Sequence, residues 1–143
     1  VYNVNGVGTG AAAVGLARAA YDMAVNYAKE REIWGRSITQ YQSVSNMLVD
    51  MKMQIETARL LVRRVAWAGD NDIHDKEVHH AMAKVYATDM AKKVTADALQ
   101  VLGGSGYMKD FPAEKYVRDS MVMPIYDGTN EVLRQFMAFD MYS

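Results

Sequence analysis

Apolar positions recur every three or four residues through most of this chain. Over residues 10–31 the recurring positions are Ala13, Leu16, Ala20, Met23 and Tyr27, which form one stripe of a helix. Ala11, Ala12, Ala13 and Gly15 leave room for a close neighbour beside it. Trp34-Gly35-Arg36-Ser37 ends this helix, with Gly35 suited to a left-handed terminator. The second run is the most regular: Val44, Leu48, Met51, Ile55, Ala58, Val62 and Val65, with Asp50, Lys52, Glu56, Arg59 and Arg63 off the seam. This pattern predicts bundle packing at a shallow crossing angle. It stops at the turn-rich Gly69-Asp70-Asn71-Asp72. A third helix is predicted over residues 76–102. Val78, Met82 and Val85 begin one stripe, and Ala87, Ala91, Val94, Ala98 and Val101 continue a rotated one, so contacts are expected on more than one side. Gly103 to Gly106 stop it. Phe111-Pro112-Ala113-Glu114 starts a short helix with Pro112 in the first helical position, and a last amphipathic run covers 132–141. No strand-period alternation stands out. The expectation is an all-α, up-down bundle of three long helices plus two shorter ones.

Composition narrows the class. The 143 residues suit one domain, spanning 1–143, and are enough to bury a core. Half are apolar and the net charge is -1, which argues against disorder and against a nucleic-acid footprint. Without cysteine, disulfides and thiolate metal sites are excluded. No signal peptide or membrane span is read. Eleven methionines fit the helix seams as flexible fillers. The starting valine predicts a piece of a larger chain.

Metal chemistry finds little support. Glu77 and His80 make one E-x-x-H pair, half of what a di-iron bundle uses, and no second pair exists. His74, His79 and His80 read as surface residues. Asp70-Asn71-Asp72 lacks the spaced ligands and closing glutamate of a calcium loop. No metal site is expected.

Three stretches carry candidate chemistry. In Met123-Pro124-Ile125-Tyr126-Asp127-Gly128-Thr129-Asn130-Glu131 one carboxylate, Asp127, lies between an aromatic ring and a glycine on a turn that opens into a helix. The plain alternative is a helix N-cap. Gly103-Gly104-Ser105-Gly106 follows a helix rather than a strand, so neither the dinucleotide fingerprint nor a P-loop applies. It either terminates the helix or lets another molecule lie against bare backbone, with the Gln100 amide one turn earlier. Arg31 either complements a helix dipole or grips a phosphate.

Taken together, these segments resemble the C-terminal helical domain of the acyl-CoA dehydrogenase family. Ala13 to Ala20 looks like that domain's first helix. Arg31-Glu32-Ile33-Trp34-Gly35, followed by Gln42, resembles R-x-x-F-G…Q, and Gln100 to Tyr107 is similar to Q-x-x-G-G-x-G-[YF]. Arg118-Asp119 and Ile125 to Glu131 resemble R-D and I-Y-E-G-T-x-E. Such pieces in this order are specific where each alone is not.

The resemblance implies a flavoenzyme whose complete chain has a helical and a β-domain ahead of this one. It implies FAD lying between subunits of a dimer of dimers, an acyl-CoA substrate, and electron-transfer flavoprotein as partner. It places the protein in the cytoplasm of a bacterium or the mitochondrial matrix of a eukaryote. By motif position, Arg31 meets the FAD pyrophosphate, and Trp34 replaces the usual phenylalanine beside the cofactor. Gln42, Gln100, Gly103 and Gly104 line the adenine and ribose side, and Thr129 and Glu131 lie against the cofactor. Tyr126 and Gly128 flank the substrate. The family's base, a glutamate, is here Asp127. Some members carry a glutamate near the first helix instead, but Val4-Asn5-Gly6-Val7 offers none, and Gly6 falls where an arginine is often found. The implied reaction is α,β-dehydrogenation of an acyl-CoA to the trans-2-enoyl-CoA. The alternatives are a nitroalkane-oxidase-like relative acting on another carbon acid, or a free-standing helical interaction module.

Overall fold

The structure, a computed structural model, describes residues 6–71 and 76–142. Three long helices dominate it: α1 (Gly6–Glu30), α2 (Gln42–Asp70) and α3 (Lys76–Leu102). Three short ones follow: α4 (Gly104–Tyr107), α5 (Ala113–Val122) and α6 (Asn130–Tyr142). This is the expected all-α bundle with one additional helical turn, α4. The glycines at 103–106 end α3 and then re-enter a helix at once. Gly103, at φ 59, makes the reversal.

Helix α3 is the axis of the fold, with α1, α2, α5 and α6 all packed on it. That central position explains its rotated stripes. Ala87, Ala91, Val94 and Ala98 are fully buried, and so are the polar Lys84, Thr88 and Thr95. In α2 the seam from Leu48 to Val65 is buried as the periodicity predicts. In α1 the most buried face is Ala13, Ala17, Ala20, Ala24 and Ala28, turned slightly from the predicted stripe. Alanines let the α1 and α3 backbones approach closely, whereas the larger Leu16, Met23 and Tyr27 fill the flanks. The start of α1 continues this closeness: a Cβ on Gly6 would lie 3.2 Å from the His80 carbonyl oxygen, and one on Gly10 would lie 3.1 Å from Val62 Cγ2. The helix therefore begins earlier than the predicted residue 10. Met82, placed in the core by periodicity, lines an open groove between α3 and α6.

A small hairpin joins α1 to α2. β1 (Glu32–Ile33) pairs antiparallel with β2 (Arg36–Ser37), Glu32 opposite Ser37 and Ile33 opposite Arg36. Trp34 (φ 51) and Gly35 (φ 76) are both left-handed, as a tight primed hairpin turn requires. Gly35 thus serves the hairpin and not the helix end, which lies at Glu30. Strands of two residues are too short to show alternation in a sequence. Pro112 caps α5 rather than occupying its first helical position. Asp72 and His74 lie outside the described residues, as do Val4 and Asn5.

Candidate functional site

The stretch around Asp127 is folded tightly on itself. The Ile125 N–H donates to Val122 O (2.9 Å), and the Asn130 N–H reaches back to Pro124 O (2.9 Å). Asp127 itself is left-handed, at φ 55, and Gly128 follows at φ 82. Aspartate tolerates this conformation better than most residues, because its short polar side chain can bond locally. The N-cap reading does not hold. Thr129 occupies that role, its Oγ1 accepting the Val132 N–H at 3.3 Å. The Asp127 carboxylate instead accepts a hydrogen bond from the Thr9 hydroxyl on α1, Oγ1 to Oδ2 at 2.9 Å.

Beneath this turn lies a buried polar network. The Lys84 ammonium, fully buried on α3, donates to Gly128 O (2.8 Å) and to Asn130 Oδ1 (2.9 Å). Asn130 Nδ2 donates to Thr88 Oγ1 and to Asp89 Oδ1, both at 2.9 Å. Arg134 closes the network by donating to Asp89 Oδ2. Burial pushes the Lys84 pKa below the usual lysine range, opposed by the charges of Asp127, Asp89 and Glu131. The loop thus rests on a buried cation held by Gly128 O and Asn130 Oδ1.

The other predicted residues gather at the far end of α1. Arg31 shares a concavity of about 500 Å³ with Met23, Asn26, Tyr27, Glu30, Ser105 and Phe111. The Tyr27 hydroxyl reaches Ser105 Oγ at 3.4 Å, and its ring meets Phe111 edge-on at 5.6 Å, which ties α4 and the segment before α5 to α1. Gly103 and Gly104 expose backbone here, and a Cβ on either would meet nothing within 4 Å. Gln42 and Gln100 are exposed. Trp34, 89% exposed, contacts Tyr41 edge-on at the hairpin tip, and Arg36 lies over the Tyr41 ring at 4.1 Å.

The predicted site residues therefore form two groups. Asp127, Gly128, Thr129 and Glu131 stand with Thr9, and Arg31 and the Gly103–Gly104 face stand at the opposite end. The run from Thr9 to Arg31 is roughly 33 Å at ~1.5 Å per helical residue. Sequence reasoning missed Thr9, Lys84 and Asn130. A lysine among Ala83, Val85 and Ala87 on a helix otherwise apolar there was the one available signal for a buried cation. Among the described residues, no group of three or more His, Asp or Glu side chains could hold a metal ion. None of the described helices is long and apolar enough to cross a membrane.

The sequence profile of the acyl-CoA dehydrogenase C-terminal domain matches residues 3–141. The chain belongs to the acyl-CoA dehydrogenase family. It is similar to a probable acyl-CoA dehydrogenase of Mycobacterium leprae, 43% identical over 90% of this chain and 33% of that protein. It is also similar to the 3-sulfinopropanoyl-CoA desulfinase of Cupriavidus necator, 42% identical over 96% of this chain and 34% of the relative. Among solved structures, butyryl-CoA dehydrogenase from Megasphaera elsdenii superposes with a TM-score of 0.93 at 39% identity, covering 96% of this chain and 36% of that one. This acyl-CoA dehydrogenase domain thus spans about a third of the length of the curated relatives it matches.

Proposed function

We propose that this domain forms part of a flavoprotein that dehydrogenates an acyl-CoA thioester to the trans-2-enoyl-CoA, with Asp127 as the base. The observation that carries the reading is the placement of Asp127. Its carboxylate stands on a fixed left-handed turn before α6, one oxygen held by Thr9 and the turn's carbonyl anchored on Lys84. A base on so constrained a loop meets the positional demand of proton abstraction, where a displacement of about 1 Å costs on the order of a hundredfold in rate. Tyr126 and Gly128 flank it on the side where substrate would lie.

The residues at the far end fit FAD. Arg31 offers a forked cation suited to a pyrophosphate, at the rim of a concavity. Gly103 and Gly104 present backbone that a ring system can approach, and Gln42 and Gln100 present exposed amides for adenine and ribose. When bound, FAD supplies the acceptor for the hydride leaving the β-carbon. Because the two groups lie at opposite ends of α1, the base end and the Arg31 end serve different cofactor molecules, which calls for a second subunit. Thr129 and Glu131 then meet the cofactor at the base end. A dimer of dimers, with electron-transfer flavoprotein as acceptor, completes this reading.

A second reading rests on Asp127 standing where the family motif has glutamate. A relative 42% identical over this domain is a desulfinase. In this reading the domain serves another reaction of a CoA thioester, or a different carbon acid of the nitroalkane type.

The deciding experiment is an anaerobic titration of the full-length flavoprotein with a panel of acyl-CoAs, followed by oxidised-flavin absorbance. Bleaching by one chain class supports dehydrogenation and names the substrate. A flavin that no thioester bleaches overturns it and leaves the second reading.

A further inference from the structure

We propose that Lys84 is a positioning residue for the turn that carries the Asp127 base, setting where that turn stands against α3 through its hydrogen bond to the Gly128 carbonyl. The inference rests on Asp127 being the base. Asp127 and Gly128 are both left-handed, at φ 55 and φ 82, and a left-handed residue other than glycine persists only where its surroundings impose it. A local bond closes the foot of the turn, where the Asn130 N–H donates to Pro124 O at 2.9 Å. Next to the base, the hold comes from another helix. Lys84 Nζ donates to Gly128 O at 2.8 Å and to Asn130 Oδ1 at 2.9 Å. One ammonium therefore ties the residue after the base to the first residue of α6. Asn130 is itself pinned on α3, its Nδ2 donating to Thr88 Oγ1 and to Asp89 Oδ1.

Stability alone is a poor reason for a lysine at this place. Lys84 is fully buried, and both of these acceptors are neutral oxygens rather than carboxylates, so the cost of desolvating the ammonium is weakly offset. An apolar contact between α3 and the turn would avoid that cost. What the ammonium adds is reach and direction, from the central helix of the bundle to one backbone carbonyl. Its starting point is fixed as well. The first turn of α1 passes over the root of the side chain, where a Cβ on Gly6 would lie 3.6 Å from Lys84 Cβ. The turn is thus referred to α3, the element on which α1, α2, α5 and α6 all pack.

The test uses the full-length flavoprotein and the acyl-CoA that bleaches it fastest, comparing Lys84→Met, Thr95→Val and Asp127→Asn. Thr95 is the control: it is fully buried on the same helix, and its hydroxyl donates to Ser120 Oγ at 3.0 Å, toward α5 and not toward the turn. In Lys84→Met, kcat is expected to fall about tenfold to a hundredfold with KM and flavin content little changed, the scale of a base displaced by about 1 Å. With α-deuterated substrate, the isotope effect on flavin reduction should be at least as large as in the wild type, because proton abstraction is the step that slows. Thr95→Val should lose thermal stability and keep wild-type kcat. Wild-type kcat in Lys84→Met, beside an inactive Asp127→Asn, would overturn the role of Lys84 and leave the base standing. A smaller isotope effect in Lys84→Met, or an equal loss of kcat in Thr95→Val, would do the same. An active Asp127→Asn overturns the base, and this inference with it. If Lys84→Met does not hold flavin, Lys84→Gln, whose side-chain nitrogen stands one bond short of the ammonium, is read in the same way.

Discussion

The Thr9 hydroxyl and the Asp127 carboxylate meet at 2.9 Å across 118 residues of chain. That contact joins the start of the first helix to the turn before the last one. It gives Asp127 a partner that no local motif supplies. Replacing Asp127 with asparagine keeps the left-handed backbone and an oxygen for Thr9 to donate to. Fold and flavin content should stay at wild-type levels while turnover falls by about 10²–10⁴, the usual share of a general base. Stopped-flow flavin reduction measures it, and full activity in the asparagine variant would remove Asp127 from the mechanism.

Lys84 should prove structural in a way that depends on pH. Lys84→Met leaves Gly128 O without its donor and Asn130 Oδ1 with only the longer bond from Thr88 Oγ1 (3.3 Å), at a cost of about 1–3 kcal/mol near neutral pH. In the wild type, burial holds the lysine pKa below its unfolded value of 10.5. Between those two values the unfolded chain binds the extra proton, so stability attributable to Lys84 rises with pH through that window. The wild-type advantage over Lys84→Met in thermal unfolding should therefore widen as pH climbs toward 10.5. A constant or shrinking gap would contradict the buried, charged assignment.

The glycines of α4 should separate packing from binding. A Cβ on Gly106 would lie 2.6 Å from Leu99 O, so Gly106→Ala is expected to destabilise the domain by about 1–3 kcal/mol. A Cβ on Gly104 meets nothing within 4 Å, so Gly104→Ala should unfold at the wild-type temperature. If this face approaches FAD, Gly104→Ala should still release flavin more readily, by about tenfold in Kd, which corresponds to ~1.4 kcal/mol. Unfolding curves and flavin release read the two effects independently.

Arg31 offers the complementary test at the same end. Arg31→Lys keeps the charge but loses the planar fork. Flavin affinity should drop by about tenfold to a hundredfold, the scale of one charge-assisted hydrogen bond. Unfolding of the flavin-free protein should not change, because the Arg31 side chain is exposed. Equal flavin affinity in both proteins would detach Arg31 from the cofactor.

The sequence by itself determined the helices and which face of α2 is buried, because a period near 3.6 is written directly in the spacing of Leu48, Met51, Ile55, Ala58, Val62 and Val65. It also determined the family, since its motifs are local strings. It did not show the hairpin, whose strands of two residues carry no period, nor α4, whose glycines read as a stop. Only the tertiary structure decided what holds Asp127. Thr9 and Lys84 are remote from it in the chain, and neither type announces a partner. A threonine among glycines and a lysine among alanines become meaningful once close packing of α1 on α3 brings them under one turn. Long-range polar contacts follow from where helices cross, and a crossing is fixed by the fit of many side chains at once rather than by any one string of residues.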